Sequence, residues 1–305
     1  MSSRPKFAPV AGRPGNLLAP EETRSADLDR PLGRIMRDAK MITEQQVAEI
    51  LAYQRDHGVR FGEAAEDLKL ATREDVAWAL SEQFDYPVAP YCEEGNAELI
   101  VASNPFGREA EAFRELRTQL IMGVLAQDVP PCALAILSPD VADGRSFVAA
   151  NVAVAFSQLG GGATLLIDAD LRRPRQQNLF GIESGMPGLA SVLSGRADAR
   201  LMQPMRNLPS LHVLPAGAAP PNPLELLQRP AFGLLLRDLL GKFAYVVVDT
   251  PAASQGADSR VVAAACGAAL VIARKGRSRM KSTAALLRAL SKGPSRIAGV
   301  VMNDH

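Results

Sequence analysis

ALAILSPDVADGRSFVAANVAVAF, residues 133–156, followed after a short turn by ATLLIDADLRRPR, residues 163–175, decides the architecture of this chain. The first run reads as an apolar strand ending at Leu137, a loop, and a strongly helical stretch. The second is another apolar strand, this one ending in carboxylates. Further strands are expected at LHVLPA (211–216), AYVVVD (244–249), AALVIAR (268–274) and IAGVVMN (297–303), with helical stretches between them. That alternation predicts a mostly parallel sheet covered by helices on both faces, an α/β domain.

The loop after Leu137 places backbone N–H groups and a helix N-terminus toward an anion, which is how phosphate chains are held. Its common form ends Gly-Lys-Ser or Gly-Lys-Thr, with Lys on the terminal phosphates and the hydroxyl on magnesium. Here Gly144, Arg145 and Ser146 fill those places, and Ala142 stands where another Gly is usual. Arg substitutes a planar fork for a compact ammonium. The candidate nucleotide-contacting run is Asp140, Val141, Ala142, Asp143, Gly144, Arg145, Ser146 and Phe147. An ordinary strand-to-helix turn could look the same, so the loop alone decides nothing.

The strand ends do. Asp168 closes one buried strand with Asp170 just beyond it, and Asp249 closes another, all at the carboxyl edge where ligands of such sheets bind. Carboxylates there can hold magnesium or activate a hydroxyl. Three elements in this order predict a P-loop NTPase fold using ATP and magnesium. Arg145, Asp168 and Asp170 are the candidate catalytic residues, Ser146, Asp168 and Asp249 the candidate metal side, and Asn303 a candidate for the neighbourhood of the base.

Upstream, residues 1–27 are rich in Pro, Gly and charge without periodicity and read as a disordered arm. Residues 28–88 contain an internal repeat that pairs Gly33 with Gly62, Asp38 with Asp67, Thr43 with Thr72, Val47 with Val76 and Leu51 with Leu80. Each copy is expected to be a helical hairpin, capped by Thr43 with Gln46 and by Thr72 with Asp75. Residues 89–104 read as an extended linker, and the α/β domain is expected over 105–305, opening with a helix near Phe106.

The chain carries 34 basic against 33 acidic residues, so no overall electrostatic footprint argues for nucleic acid or an anionic membrane. Three scattered cysteines, Cys92, Cys132 and Cys266, fit neither a disulfide framework nor a metal site and favour a reducing cytoplasm. No apolar run reaches spanning length, so direct membrane insertion is not expected. His57, His212 and His305 show no metal-ligand spacing.

The segments LLIDADLRRPR, VVVDTPA and the closing GVVMN are similar to the motifs of bacterial tyrosine kinases, relatives of the ParA and MinD ATPases. EAFRELR sets Glu111, Arg114 and Arg117 on one helical face and resembles the ExxRxxR motif by which that family packs neighbouring subunits; a solvated charge face is the plainer reading. Across FGEAA, QFDYP, NPF, GRSF, VLPAG, RPAF and DTPAAS the chain resembles the chain-length-determinant tyrosine kinases of exosortase-associated exopolysaccharide clusters. The hairpin repeat resembles the N-terminal domain of type II secretion and pilus ATPases.

The resemblance implies a cytoplasmic, homo-oligomeric kinase recruited to the inner membrane by a polysaccharide co-polymerase of the chain-length-determinant type. It implies ATP and magnesium as cofactors and control of exopolysaccharide polymerisation, length or export. For the hairpin module it implies docking, with cyclic di-GMP binding as the alternative. The tyrosines are Tyr53, Tyr86, Tyr91 and Tyr245, and no terminal tyrosine cluster follows Asn303. A catalytically inert scaffold, a nucleotide switch and a positioning ATPase therefore stay open beside the kinase.

Overall fold

The computed structural model describes residues 31–83, 96–183, 185–197, 202–205 and 208–304. The expected arm, Tyr86, Tyr91, Cys92 and His305 lie outside them. Four helices make up the repeat: α1 (Leu32–Asp38), α2 (Glu44–His57), α3 (Phe61–Asp67) and α4 (Arg73–Gln83). The remainder runs α5 (Ile100–Ser103), α6 (Arg108–Met122), β1 (Ala133–Leu137), α7 (Arg145–Ser157), β2 (Thr164–Asp168), α8 (Gln176–Leu179), α9 (Leu189–Leu193), β3 (Gln203–Met205) and β4 (Leu208–Leu214). It continues through α10 (Pro223–Leu227), α11 (Pro230–Leu240), β5 (Tyr245–Asp249), α12 (Asp258–Cys266), β6 (Gly267–Arg274), α13 (Met280–Leu290) and β7 (Arg296–Asn303). No helix of the described residues is long and apolar enough to cross a membrane.

The two hairpins repeat in backbone as well as in sequence. Lys40 and Lys69, at equivalent places after α1 and α3, both adopt left-handed conformations with φ of 59° and 55°. Thr43 and Gln46 bond reciprocally, and Thr72 and Asp75 do the same, so both long helices start on the capping boxes expected of them. Gly62 is tight against its neighbour, since a Cβ there would come within 2.6 Å of Val76 Cγ1. Met36, Ile42, Ile50, Ala64, Ala65, Val76 and Ala79 form the shared core.

In the α/β domain seven strands make one sheet in the order β3-β4-β2-β5-β1-β6-β7, parallel except for β3 against β4. Alternation sorts their side chains: Ala135, Leu137, Leu165, Ile167, Val246 and Val248 enter one core, while Leu134, Ile136, Leu166 and Val247 enter the other. The first core lies under α9 to α13, the second under α6 and α7. Every residue of α7 is buried, as befits a mostly apolar helix held between a sheet and further helices, its few polar side chains being hydrogen-bonded inside the protein.

Two expectations change. Residues 96–104, read as extended, hold the helical turn α5, because Leu99 and Val101 bury against α7. Asn151 of α7 fastens that turn: its Oδ1 accepts from Val101 N at 3.0 Å, and its Nδ2 donates to the carbonyls of Glu98 at 2.8 Å and Phe147 at 3.0 Å. The short antiparallel β3 was not expected at all. It has three residues, one of them Pro204, which places it at a sheet edge.

Candidate active site

Parallel pairing aligns the ends of three strands. Ile136 of β1 stands opposite Asp249 of β5, and Asp249 stands opposite Asp168 of β2. The loop that follows β1 therefore opens beside both aspartates, with α7 beginning at Arg145 immediately after Gly144.

That loop is pinned from several sides. Ala142 is left-handed at φ 63°, the conformation for which glycine is usual there. The fully buried Asp143 accepts from the Asp140 N–H at 2.9 Å and from the Ser278 hydroxyl at 2.8 Å. Its carbonyl accepts from Asn303 Nδ2 at 3.1 Å, and Arg274 donates to the Ala142 carbonyl at 3.1 Å. Gly144 is also left-handed, φ 95°, and a Cβ on it would come within 2.1 Å of Asn303 Nδ2. Asn303, assigned from sequence to the neighbourhood of the base, thus braces the loop.

Arg145 is 6% exposed and its guanidinium is spent on protein groups. Nε donates to the Thr250 carbonyl at 2.7 Å, one terminal nitrogen donates to Ser138 Oγ at 2.7 Å and the Asp140 carbonyl at 3.1 Å, and the other meets Asp170 Oδ2 at 3.5 Å. This fork spans β1, β5 and the segment after β2, which a lysine ammonium could not do.

The three carboxylates have different surroundings. Asp168 is fully buried, and both its oxygens are engaged: Oδ1 accepts from Asp170 N at 3.1 Å, and Oδ2 from Arg175 N at 3.1 Å and Gln176 N at 3.0 Å. Burial, with the nearby Asp249 charge adding to it, pushes the Asp168 carboxyl well above the ordinary carboxylate range despite those bonds. Burial also raises Asp249, opposed by the Arg145 charge, the Ser146 hydroxyl and the Gln176 amide. Asp170 accepts from Arg172 N at 3.2 Å and Arg173 N at 2.9 Å on one oxygen, leaving Arg145 to the other.

The structure thus brings together Asp140, Asp143, Gly144, Arg145, Ser146, Asp168, Asp170, Asp249 and Asn303 from the sequence-stated set by direct bonds or register, with Val141, Ala142 and Phe147 carried by the same loop and helix. Sequence reasoning missed Ser138, Gln176, Thr250 and Ser278. It also missed the bidentate pair of Arg172 with the buried Asp258, at 3.1 and 3.2 Å, which ties the post-β2 segment to α12. Only Thr250, adjacent to Asp249, carried a local signal.

Among the described residues no three His, Cys, Asp or Glu side chains cluster to hold a metal by themselves. One hydroxyl, a buried carboxylate and a cradle for phosphates suit magnesium, which keeps waters and takes phosphate oxygens as ligands. Asp249 Oδ1, buried and without a hydrogen-bond partner in the protein, is in keeping with that fit.

The EAFRELR face is not simply solvated. Arg117 donates to the Ala155 carbonyl of α7 at 2.6 Å, and Arg114 bonds Glu111 at 2.6 Å and the Pro105 carbonyl. Glu111, 71% exposed, projects outward.

No protein-family model matches the chain. It is 31% identical over 193 residues to tyrosine-protein kinase CpsD of Streptococcus agalactiae, covering 63% of this chain and 82% of that one. Against tyrosine-protein kinase wzc of Salmonella typhimurium it is 29% identical over 208 residues, 68% of this chain but 28% of that protein. The solved kinase domain of Escherichia coli tyrosine kinase ETK superposes with a TM-score of 0.63 at 30% identity, over 67% of this chain and 79% of that one. The chimerical protein CapA2B2 gives 0.63 at 28% identity, over 76% and 98%. With its phosphate loop, its paired strand-end aspartates and these relatives, the chain belongs to the bacterial tyrosine-protein kinase family.

Proposed function

We propose that the chain is an ATP-dependent protein tyrosine kinase acting in exopolysaccharide synthesis, with its acceptor tyrosine on a partner protein or another copy. The observation that carries the reading is the Asp168–Asp249 register pair beside Ser146, at the mouth of a loop whose shape is held by Asp143. Backbone N–H groups of the loop and of the first turn of α7 bind phosphate oxygens. Arg145 fixes the loop against β5 through its bond to the Thr250 carbonyl and so holds the phosphate cradle in shape. Ser146 and Asp249 would hold magnesium, which supplies charge neutralisation on the phosphates when bound.

Asp168 shapes the segment after β2 with both oxygens. Asp170 is the carboxylate best placed to accept the proton of an incoming tyrosine hydroxyl, since one of its oxygens meets only a 3.5 Å contact to Arg145 among the hydrogen bonds described. Among the described tyrosines, Tyr245 is stacked on Phe156 at 4.4 Å and Tyr53 on His57 at 3.9 Å, so both rings are engaged. For the acceptor, the cytoplasmic tail of a membrane polysaccharide co-polymerase is our candidate. Assembly through Glu111, Arg114 and Arg117 belongs to the same proposal. Purified chain incubated with magnesium and γ-labelled ATP, with and without that tail, should place label on tyrosine. An Asp170→Ala control should not. Nucleotide binding with no label in either protein would leave a nucleotide switch, and no binding would leave a scaffold.

A further inference from the structure

Gln176, the first residue of α8, is fully buried beside the carboxylates. Its Nε2 donates to the Ser146 carbonyl at 3.1 Å and to Asp249 Oδ2 at 2.8 Å, so a single amide nitrogen ties the first turn of α7 to the end of β5. Both partners are acceptors. Exchanging the amide nitrogen and oxygen would set an oxygen against two oxygens, so the orientation of this amide is fixed by its neighbours. Its backbone N–H bonds Asp168 Oδ2 at 3.0 Å, which links the same residue to the second aspartate.

The two remaining oxygens of this bridge, Gln176 Oε1 and Asp249 Oδ1, are buried and have no hydrogen-bond partner in the protein. Buried acceptors cost free energy unless something donates to them. A donor that belongs beside the Ser146 hydroxyl, at the start of a helix that faces phosphates, is the water shell of a divalent cation, since magnesium gives up its waters reluctantly.

We infer that Gln176 is a positioning residue for the cation. Its nitrogen fixes the Asp249 carboxylate, and its oxygen, with Asp249 Oδ1, accepts from cation-bound water. Nothing in the sequence motif marks the residue, which lies beyond the aspartates and touches Asp249 only through the fold. The inference rests on reading the site as one for a metal-bound nucleotide.

The test uses the full chain and its Gln176→Met variant, which keeps side-chain length and removes both polar ends. Manganese binding in the presence of ADP is followed by the paramagnetic resonance of free Mn2+, and ADP binding is measured separately in EDTA by calorimetry. The inference expects the manganese dissociation constant of the ADP complex to rise about 10-fold or more, the usual effect of losing an outer-sphere partner. ADP affinity in EDTA should stay within about twofold, showing that the loop is intact. Manganese affinity unchanged in Gln176→Met overturns the inference while leaving the nucleotide site standing. A parallel loss of ADP affinity in EDTA overturns it too, because the residue would then be a general support of the loop. Wild-type protein that binds ADP in neither condition overturns the site reading itself. A Gln176→Asn variant, too short to keep both bonds, should resemble Met; recovery of wild-type manganese affinity by Asn would contradict the bridge.

Discussion

Asp168 and Asp249 stand opposite each other at the ends of adjacent parallel strands, both sealed from solvent. Burial raises both carboxyls, and the charge of Asp249 adds to the effect on Asp168; Arg145 opposes it at Asp249, while Asp170 adds to it at both. A carboxyl raised in the folded state contributes stability that is full below its ordinary value near 3.8 and is lost as pH climbs through the raised value. Asp249→Asn removes one member of the pair and should raise the melting temperature of nucleotide-free, metal-free protein by about 2–4 °C at about pH 8, while abolishing tyrosine labelling. The gain should shrink as the pH is lowered toward the ordinary carboxylate range and the wild-type pair takes up protons. Melts across that range in EDTA check it, and a variant less stable than wild type at every pH would show that the pair is not strained.

Arg145 serves the loop from beneath. Arg145→Ala leaves the Thr250 carbonyl and the Asp170 carboxylate short of a donor and should lower unfolding free energy by about 3 kcal/mol. Arg145→Lys keeps the charge but not the fork, and should lose about 1–2 kcal/mol. Urea unfolding gives both numbers. A lysine variant as stable as wild type would mean that the charge alone matters.

Asn303→Ala and Ser278→Ala each remove a bond to Asp143 from outside the loop. Each should cost about 1 kcal/mol of stability and weaken ADP binding several-fold. Their double variant should fall short of additivity because the two share one residue. Calorimetric titration with ADP decides.

Asn151→Ala strips the bonds that hold α5, leaving the Val101 N–H and the Glu98 carbonyl without it. The loss should be about 2–3 kcal/mol, with limited proteolysis near residues 96–104 accelerating ahead of global unfolding. Unchanged cleavage there would show that apolar contacts alone secure the turn.

Much of this was legible in the sequence because strands buried on both faces are runs of apolar residues, and an Asp that closes such a run lands at the ligand edge whatever the loops do. Asp168 and Asp249 could therefore be placed from pattern alone. Gln176, Ser278 and Asn151 could not, since each acts on residues far away in sequence, and a lone polar residue, even one inside a plainly helical run such as Asn151, does not name its partner. The role of Arg145 was half legible. Its position in the loop was plain, but its bond to Thr250 depends on β5 lying beside β1, which strand order and not local sequence dictates. Strand β3 escaped because three residues with a proline carry too little pattern.

The loop between β1 and α7 is clamped through Asp140, Ala142 and Asp143 by the loop's own Asp143 carboxylate, by Arg274 at the end of β6, by Ser278 beyond it and by Asn303 at the end of β7. Its conformational entropy is surrendered when the domain folds, not when an anion arrives. Association with a phosphate chain should accordingly carry little penalty for ordering the receptor, and the rate of capture should be set by diffusion and charge instead of by a search among loop shapes.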